Sequence, residues 1–292
     1  MNKEFNKGLL LAGFGSFWWG FFGVLYFKYI TFIGYIELVI HRCLWTTLTL
    51  ILTTFFFSKW DIFFKIIKSK QNLIYLFISG FLIFINWGVW IYAIATNRII
   101  DASFGYFIMP ILSVLLGYIF FKENLNNKRI FSIILVILSI LYLIFVSLKS
   151  LPWVGIIVAL SWGFYNLVRK KINVDTDIGL LIESLFILPI AIIVFYMIAA
   201  KGYNDFSLSN PSMMLIIFLA GPMTVIPLFL YVRGVELCGL GPSGMIFYIT
   251  PTLQFLLGFF YYDEVFSFNK LVSFIIIWFA VIIYLRDLYE TN

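Results

Sequence analysis

Glu37, His41 and Arg42 fall within one long apolar stretch, Gly34 to Phe57, and His41 is the only histidine in the 292-residue chain. A charged side chain at membrane depth costs at least about 2.5–3.5 kcal/mol on insertion scales, so such a cluster is retained for function or for a partner. Residues four apart share a helical face, which aligns Glu37, His41 and Trp45. Arg42 lies about 140° round from Glu37 at 100° per residue and points to a partner on another helix. Arg42 or a protonated His41 can meet an anionic group of a solute in a cavity. Alternatively, the trio locks one helix to its neighbour, or sits at the outer interface one turn from the start of the stretch.

Other stretches carry further candidates. Glu183 lies in a second apolar run, 178–199. Asn86 and Trp90 are four apart, with Trp87 and Tyr92 beside them; an amide with aromatic walls suits a polar, partly flat molecule, and a Trp face can also hold a cation. The same residues serve as well in an interface belt or a packed core. Tyr106, Tyr248 and Gln254 receive the same two readings. Pro110 and Pro251 each remove an intrahelical hydrogen bond, freeing the carbonyls of Tyr106 and Phe247, so they are hinges, cavity-lining points or static kinks. The Arg169-Lys170-Lys171 run anchors a helix end at the lipid surface, or Arg169 closes an inner gate with Glu236. Glu123 and Glu264 read as caps of a loop or of the next helix.

No catalytic, cofactor-binding or metal-binding set emerges. A single His precludes H-E-x-x-H, there is no G-x-x-x-x-G-K-[ST] loop, and no Ser or Cys nucleophile pairs with a base. Cys43 and Cys238 are too few for a disulfide framework or a metal site. An intramembrane enzyme is therefore disfavoured.

These residues need elements that lipid accepts. Hydrophobic residues make up 63% of the chain and charged residues 12%, where a soluble domain is nearer half and a quarter. The chain is predicted to be an all-α integral membrane protein, with the bilayer as its partner. Ten apolar stretches qualify as spans at about 20 residues each: 8–27, 34–57, 73–95, 102–121, 130–148, 152–168, 178–199, 212–232, 241–262 and 271–285. The first ends at Lys28 without an A-x-A site and reads as a retained span. With the N-terminus inside, fourteen of the twenty Lys and Arg residues fall in inner segments and five in outer ones, leaving Arg42 within a span. That asymmetry places both termini in the cytoplasm and accounts for the +6 net charge without a nucleic-acid partner.

The chain also repeats itself. Residues 105–123 read GYFIMPILSVLLGYIFFKE and residues 246–264 read IFYITPTLQFLLGFFYYDE, while Trp19-Gly20 is echoed by Trp162-Gly163 and Glu37 by Glu183. Two five-helix units follow, 8–148 and 152–286. Five is odd, so the units enter the membrane from opposite sides, the arrangement of many secondary transporters with a substrate site where the halves meet. The expected fold is ten transmembrane helices as two inverted five-helix repeats around a central cavity. The expected function is transport of a small organic solute by alternating access, with a gated channel or a non-transporting membrane subunit as alternatives. Pseudo-symmetry puts Glu37 and Glu183 on facing helices, which makes proton coupling or exchange with a counter-substrate a candidate.

The sequence resembles the drug/metabolite transporter superfamily of the EamA-repeat type, and within it the bacterial RarD-like permeases. The residues that carry the resemblance are Glu37-Leu-Val-Ile-His41-Arg42, Asn86-Trp87, Asp101 through Pro110, Phe164-Tyr165 with Val168-Arg169-Lys170-Lys171, Glu183, Pro227 and Tyr248-Ile-Thr-Pro251. They span almost the whole chain. The resemblance implies ten helices in two inverted halves, a central cavity, and export or exchange of a small organic solute across a bacterial inner membrane. Asp101 stands where such members carry Glu, which keeps the acidic character.

Overall fold

A backbone in lipid can satisfy its polar groups only within a helix or a closed barrel. The computed structural model describes residues 3–96, 99–147, 153–206, 211–261 and 268–291, and among them every regular element is helical. Helix α1 (Lys3–Trp18) passes through a π-helical turn (Trp19–Gly23) into α2 (Val24–Tyr29). Then come α3 (Tyr35–Phe56), the short α4 (Trp60–Ile67), α5 (Lys70–Ala95), α6 (Ile99–Phe121), α7 (Asn127–Ser147), α8 (Trp153–Lys171) and α9 (Thr176–Ala200). Two broken rods follow, α10 (Pro211–Phe218) with α11 (Ala220–Cys238), and α12 (Leu240–Ile246) with α13 (Ile249–Tyr261); α14 (Phe268–Thr291) closes the described chain.

Among the described residues, seven stretches are long and apolar enough to cross a membrane: Lys3–Tyr29, Tyr35–Phe56, Lys70–Ala93, Asn127–Val146, Thr176–Ala200, Pro211–Cys238 and Leu271–Glu290. Gly105–Phe121 is a shorter apolar helix. The outer face of the bundle is apolar, with Phe56, Phe145, Tyr196 and Phe260 turned outward. An aqueous protein would not leave so much apolar surface open. The chain is an all-helical, multi-pass membrane protein. Glu264, Arg98 and Lys149 lie outside the described residues, as do the side chains of Asp101 and Lys270.

Breaks in the rods bring polar groups inward. The π turn carries Trp19, and its Gly20 sits so close to the α13 rod that an added Cβ would lie 3.0 Å from the Thr250 carbonyl oxygen. Such turns are frequent at functional sites. Gly239 joins α11 to α12 at φ +98°, a conformation that favours a residue without a Cβ. Pro110 lies inside the unbroken α6. Pro251 lies in the first turn of α13, and the Phe247 carbonyl it frees accepts the Thr250 N–H at 2.9 Å. Helix α1 packs on α11, α5 on α8 and α9, α3 on α9 and α11, α6 on α8 and α12, and α7 on α14. The π turn, α5, α6, α8 and the α12–α13 junction surround the centre.

Candidate functional site

The centre holds a chamber lined by Trp19, Gly23, Phe27, Arg42, Asn86, Trp87, Trp90, Tyr106, Trp162, Phe247, Thr250 and Gln254. Its free volume is about 40 Å³. One water needs at least about 10–15 Å³ by this measure, whereas drug-sized ligands occupy sites of about 300–1,000 Å³. In this conformation the walls leave little free space between them.

Arg42 is its charged group. Helix α3 carries it inward, 5% exposed, and Nε donates to Thr224 Oγ1 of α11 at 3.0 Å. Close approach of the two helices makes that contact, since a Cβ at Gly221 would lie 2.3 Å from the Trp45 carbonyl oxygen. The guanidinium carbon stands 4.6 Å from the Trp87 ring centre and 4.8 Å from that of Phe27. No ion pair joins Arg42 to a carboxylate among the described residues. A planar cation stacked on aromatic faces stays partly compensated while its N–H edge remains available for an oxyanion.

The remaining walls are held by specific ties. Asn86 Nδ2 donates to the Val158 carbonyl at 3.0 Å and to Ser161 Oγ at 3.2 Å, fastening α5 to α8. Trp19 meets Trp162 edge-on at 5.0 Å between ring centres, and Tyr106 lies 5.7 Å from Phe247. Thr250 Oγ1 donates to the Ser16 carbonyl at 2.8 Å, seating the start of α13 beside the π turn.

Six sequence-predicted residues therefore meet at the chamber: Arg42, Asn86, Trp87, Trp90, Tyr106 and Gln254. Four do not line it, and the expectation that they share it is corrected. Glu37, 2% exposed, accepts the N–H of Asp205 at 2.8 Å and of Phe206 at 3.0 Å, and meets His41 Nε2 at 3.1 Å. His41 is walled by Phe206 and Phe195, with ring centres 4.8 and 5.2 Å away. The reason is the helical turn itself, which sends Arg42 to one side of α3 and the Glu37–His41 face to the other. Glu183 accepts Ser79 Oγ–H at 2.6 Å and Tyr165 O–H at 3.2 Å and lies 3.5 Å from Arg169 Nε. Tyr248 donates to the Phe107 carbonyl at 2.9 Å. Helices α3 and α9 do pack together, yet Phe195 is level with His41, and Glu183 is twelve residues, about 18 Å, away along α9. The two carboxylates do not face one another.

Arg169 is 0% exposed, so it is not a lipid-surface anchor; it lies 3.6 Å from Glu236 as well as beside Glu183. Glu123 caps the first turn of α12, accepting the N–H of Leu240 and of Gly241 at 2.8 Å each, with Lys170 Nζ 3.3 Å away. Sequence reasoning missed Trp19, Phe27, Trp162, Phe247 and Thr250 as lining. The Trp-Gly echo was a usable signal for the two tryptophans; Phe27 had none.

A model of the EamA-like transporter family matches residues 6–145. Protein RarD of Escherichia coli (strain K12) is 33% identical over 99% of this chain and 97% of its own length. The chain belongs to the RarD-like group of the EamA-like transporter family. An uncharacterized transporter of Bacillus subtilis (strain 168), YojE, is 32% identical over 97% of this chain and 95% of its own. The crystal structure of a protein only 13% identical has the same fold, with a TM-score of 0.70 covering 95% of this chain and 96% of that one. The relatives are bacterial and the helices apolar, which makes this a multi-pass transporter of the inner membrane.

Proposed function

We propose that the protein is a secondary transporter that carries a small organic solute through the central chamber by alternating access. The observation that carries this is a buried Arg42, without a carboxylate partner among the described residues, in a narrow aromatic chamber with separate polar latches on either side of it. A guanidinium is retained there at a cost that packing alone does not repay, which suits a group that meets solute. One latch is Glu37 with the 205–206 backbone; the other joins Arg169, Glu183 and Glu236, with Glu123 and Lys170 beside it. Opening one while the other holds would expose the chamber to one side at a time.

The reading takes the rods as ten spans in two inverted halves with cytoplasmic termini. Repeat-equivalent positions touch: Trp19 with Trp162 in the chamber wall, and the Phe107 carbonyl with Tyr248, 141 residues later, outside it. Two halves related by an axis through both contacts would give such pairs. The packing pairs follow the same exchange, α5 on α8 answering α1 on α11, and α5 on α9 answering α3 on α11. Because no carboxylate among the described residues lines the chamber, coupling to protons would act through the latches rather than through the solute site.

Counterflow in proteoliposomes tests the proposal, using a panel of organic acids, amines, amino acids and nucleosides. Saturable exchange that is lost in Arg42→Gln and kept in the lipid-facing Phe145→Leu is expected. Unsaturable, ohmic conductance would replace the carrier with a channel.

A further inference from the structure

Resting on the reading of the chamber as the solute site, we infer that it selects a small organic monoanion with a flat apolar body and no ammonium group. The lining contains one charge, and that charge is positive. Arg42 spends only Nε within the protein, on Thr224 Oγ1, and has no carboxylate partner among the described residues. The Trp162 indole N–H is turned to the Tyr231 hydroxyl, so the donors that remain for an oxyanion in the chamber are those of the Arg42 guanidinium edge.

The same walls offer an ammonium little. The buried acids of α3 and α9 are committed elsewhere, Glu37 to the Asp205 and Phe206 amides and Glu183 to Arg169, Ser79 and Tyr165. The Trp87 and Phe27 rings, which could hold a cationic solute by their faces, already hold Arg42. A second cation beside a buried guanidinium is repelled with little screening. The other rings around the chamber, among them Trp90, Tyr106 and Phe247, present apolar surface for a planar body.

Four probes on one scaffold separate the charges: phenylacetate, phenylacetamide, phenethylammonium and phenylalanine. Binding to the full chain in phosphatidylcholine vesicles, free of anionic lipid, is followed by tryptophan fluorescence and by the thermal midpoint. Phenylacetate is expected to bind on the order of tenfold or more tighter than its amide and than phenylalanine, with phenethylammonium not binding, as a charge-assisted hydrogen bond to Arg42 requires. In Arg42→Gln the preference for acid over amide should vanish. Should that variant fail to fold, the charge series on the unaltered protein decides by itself. An amide, amine or amino acid that equals phenylacetate overturns the inference, as does the failure of all four to bind. Counterflow with the same probes separates this from the transport reading: binding preference without exchange sinks the carrier and leaves the inference, whereas saturable exchange of phenethylammonium sinks the inference and leaves the carrier.

Discussion

Replacing Glu37 by Gln should loosen the 203–206 segment without unfolding the bundle. Both carboxylate oxygens are in use, Oε2 receiving the Asp205 N–H at 2.8 Å and Oε1 the Phe206 N–H at 3.0 Å. Hydrogen bonds to a charged acceptor are worth about 1.5–3 kcal/mol each. The amide keeps one oxygen and turns an NH₂ donor toward the other backbone N–H, so one bond is lost and two donors confront each other. The packing of Phe206 against His41 and Trp45, at 4.8 and 5.8 Å between ring centres, is untouched. A net loss of about 2–3 kcal/mol corresponds to about a 30- to 150-fold rise in the population of the open segment, at 1.4 kcal/mol per tenfold. Hydrogen exchange read at the Asp205 and Phe206 amides measures that ratio directly. Phe145→Leu serves as control, since that side chain lies exposed on the lipid-facing surface and outside both latches. Protection that changes less than about threefold in Glu37→Gln, or equally in the control, would refute the latch.

Glu183→Gln should lower the thermal midpoint markedly, because Arg169 is fully buried and loses a carboxylate 3.5 Å away; breaking a buried pair costs about 3–5 kcal/mol, less whatever Glu236 at 3.6 Å retains. Glu123→Gln should raise exchange at the Leu240 and Gly241 amides about tenfold, as loss of a charged helix cap costs about 1–2 kcal/mol. Tyr248→Phe should destabilise by about 0.5–1.5 kcal/mol in chemical denaturation, leaving the buried Phe107 carbonyl without its phenol partner. Solute affinity in that variant should fall less than in Arg42→Gln.

Much of this protein is written in its local composition. Apolar runs of bilayer length, the basic residues between them and the echo of 105–123 in 246–264 state the class, the number of rods expected and the duplication. They do so because lipid acts on each segment separately, through the hydropathy of that segment alone. The same chemistry marked Arg42, Asn86, Trp87 and Trp90 as worth explaining. Which of the marked groups share a space is another matter. A hundred degrees of helical turn sends Arg42 into the chamber and His41 toward Phe206, and the antiparallel packing of α3 on α9 sets Glu37 and Glu183 far apart. The π turn that swings Trp19 onto Trp162, and the reach of Glu123 across 117 residues to the start of α12, depend on contacts between distant segments. Hydropathy carries no record of such contacts, so tertiary structure alone determined where the charges found their partners.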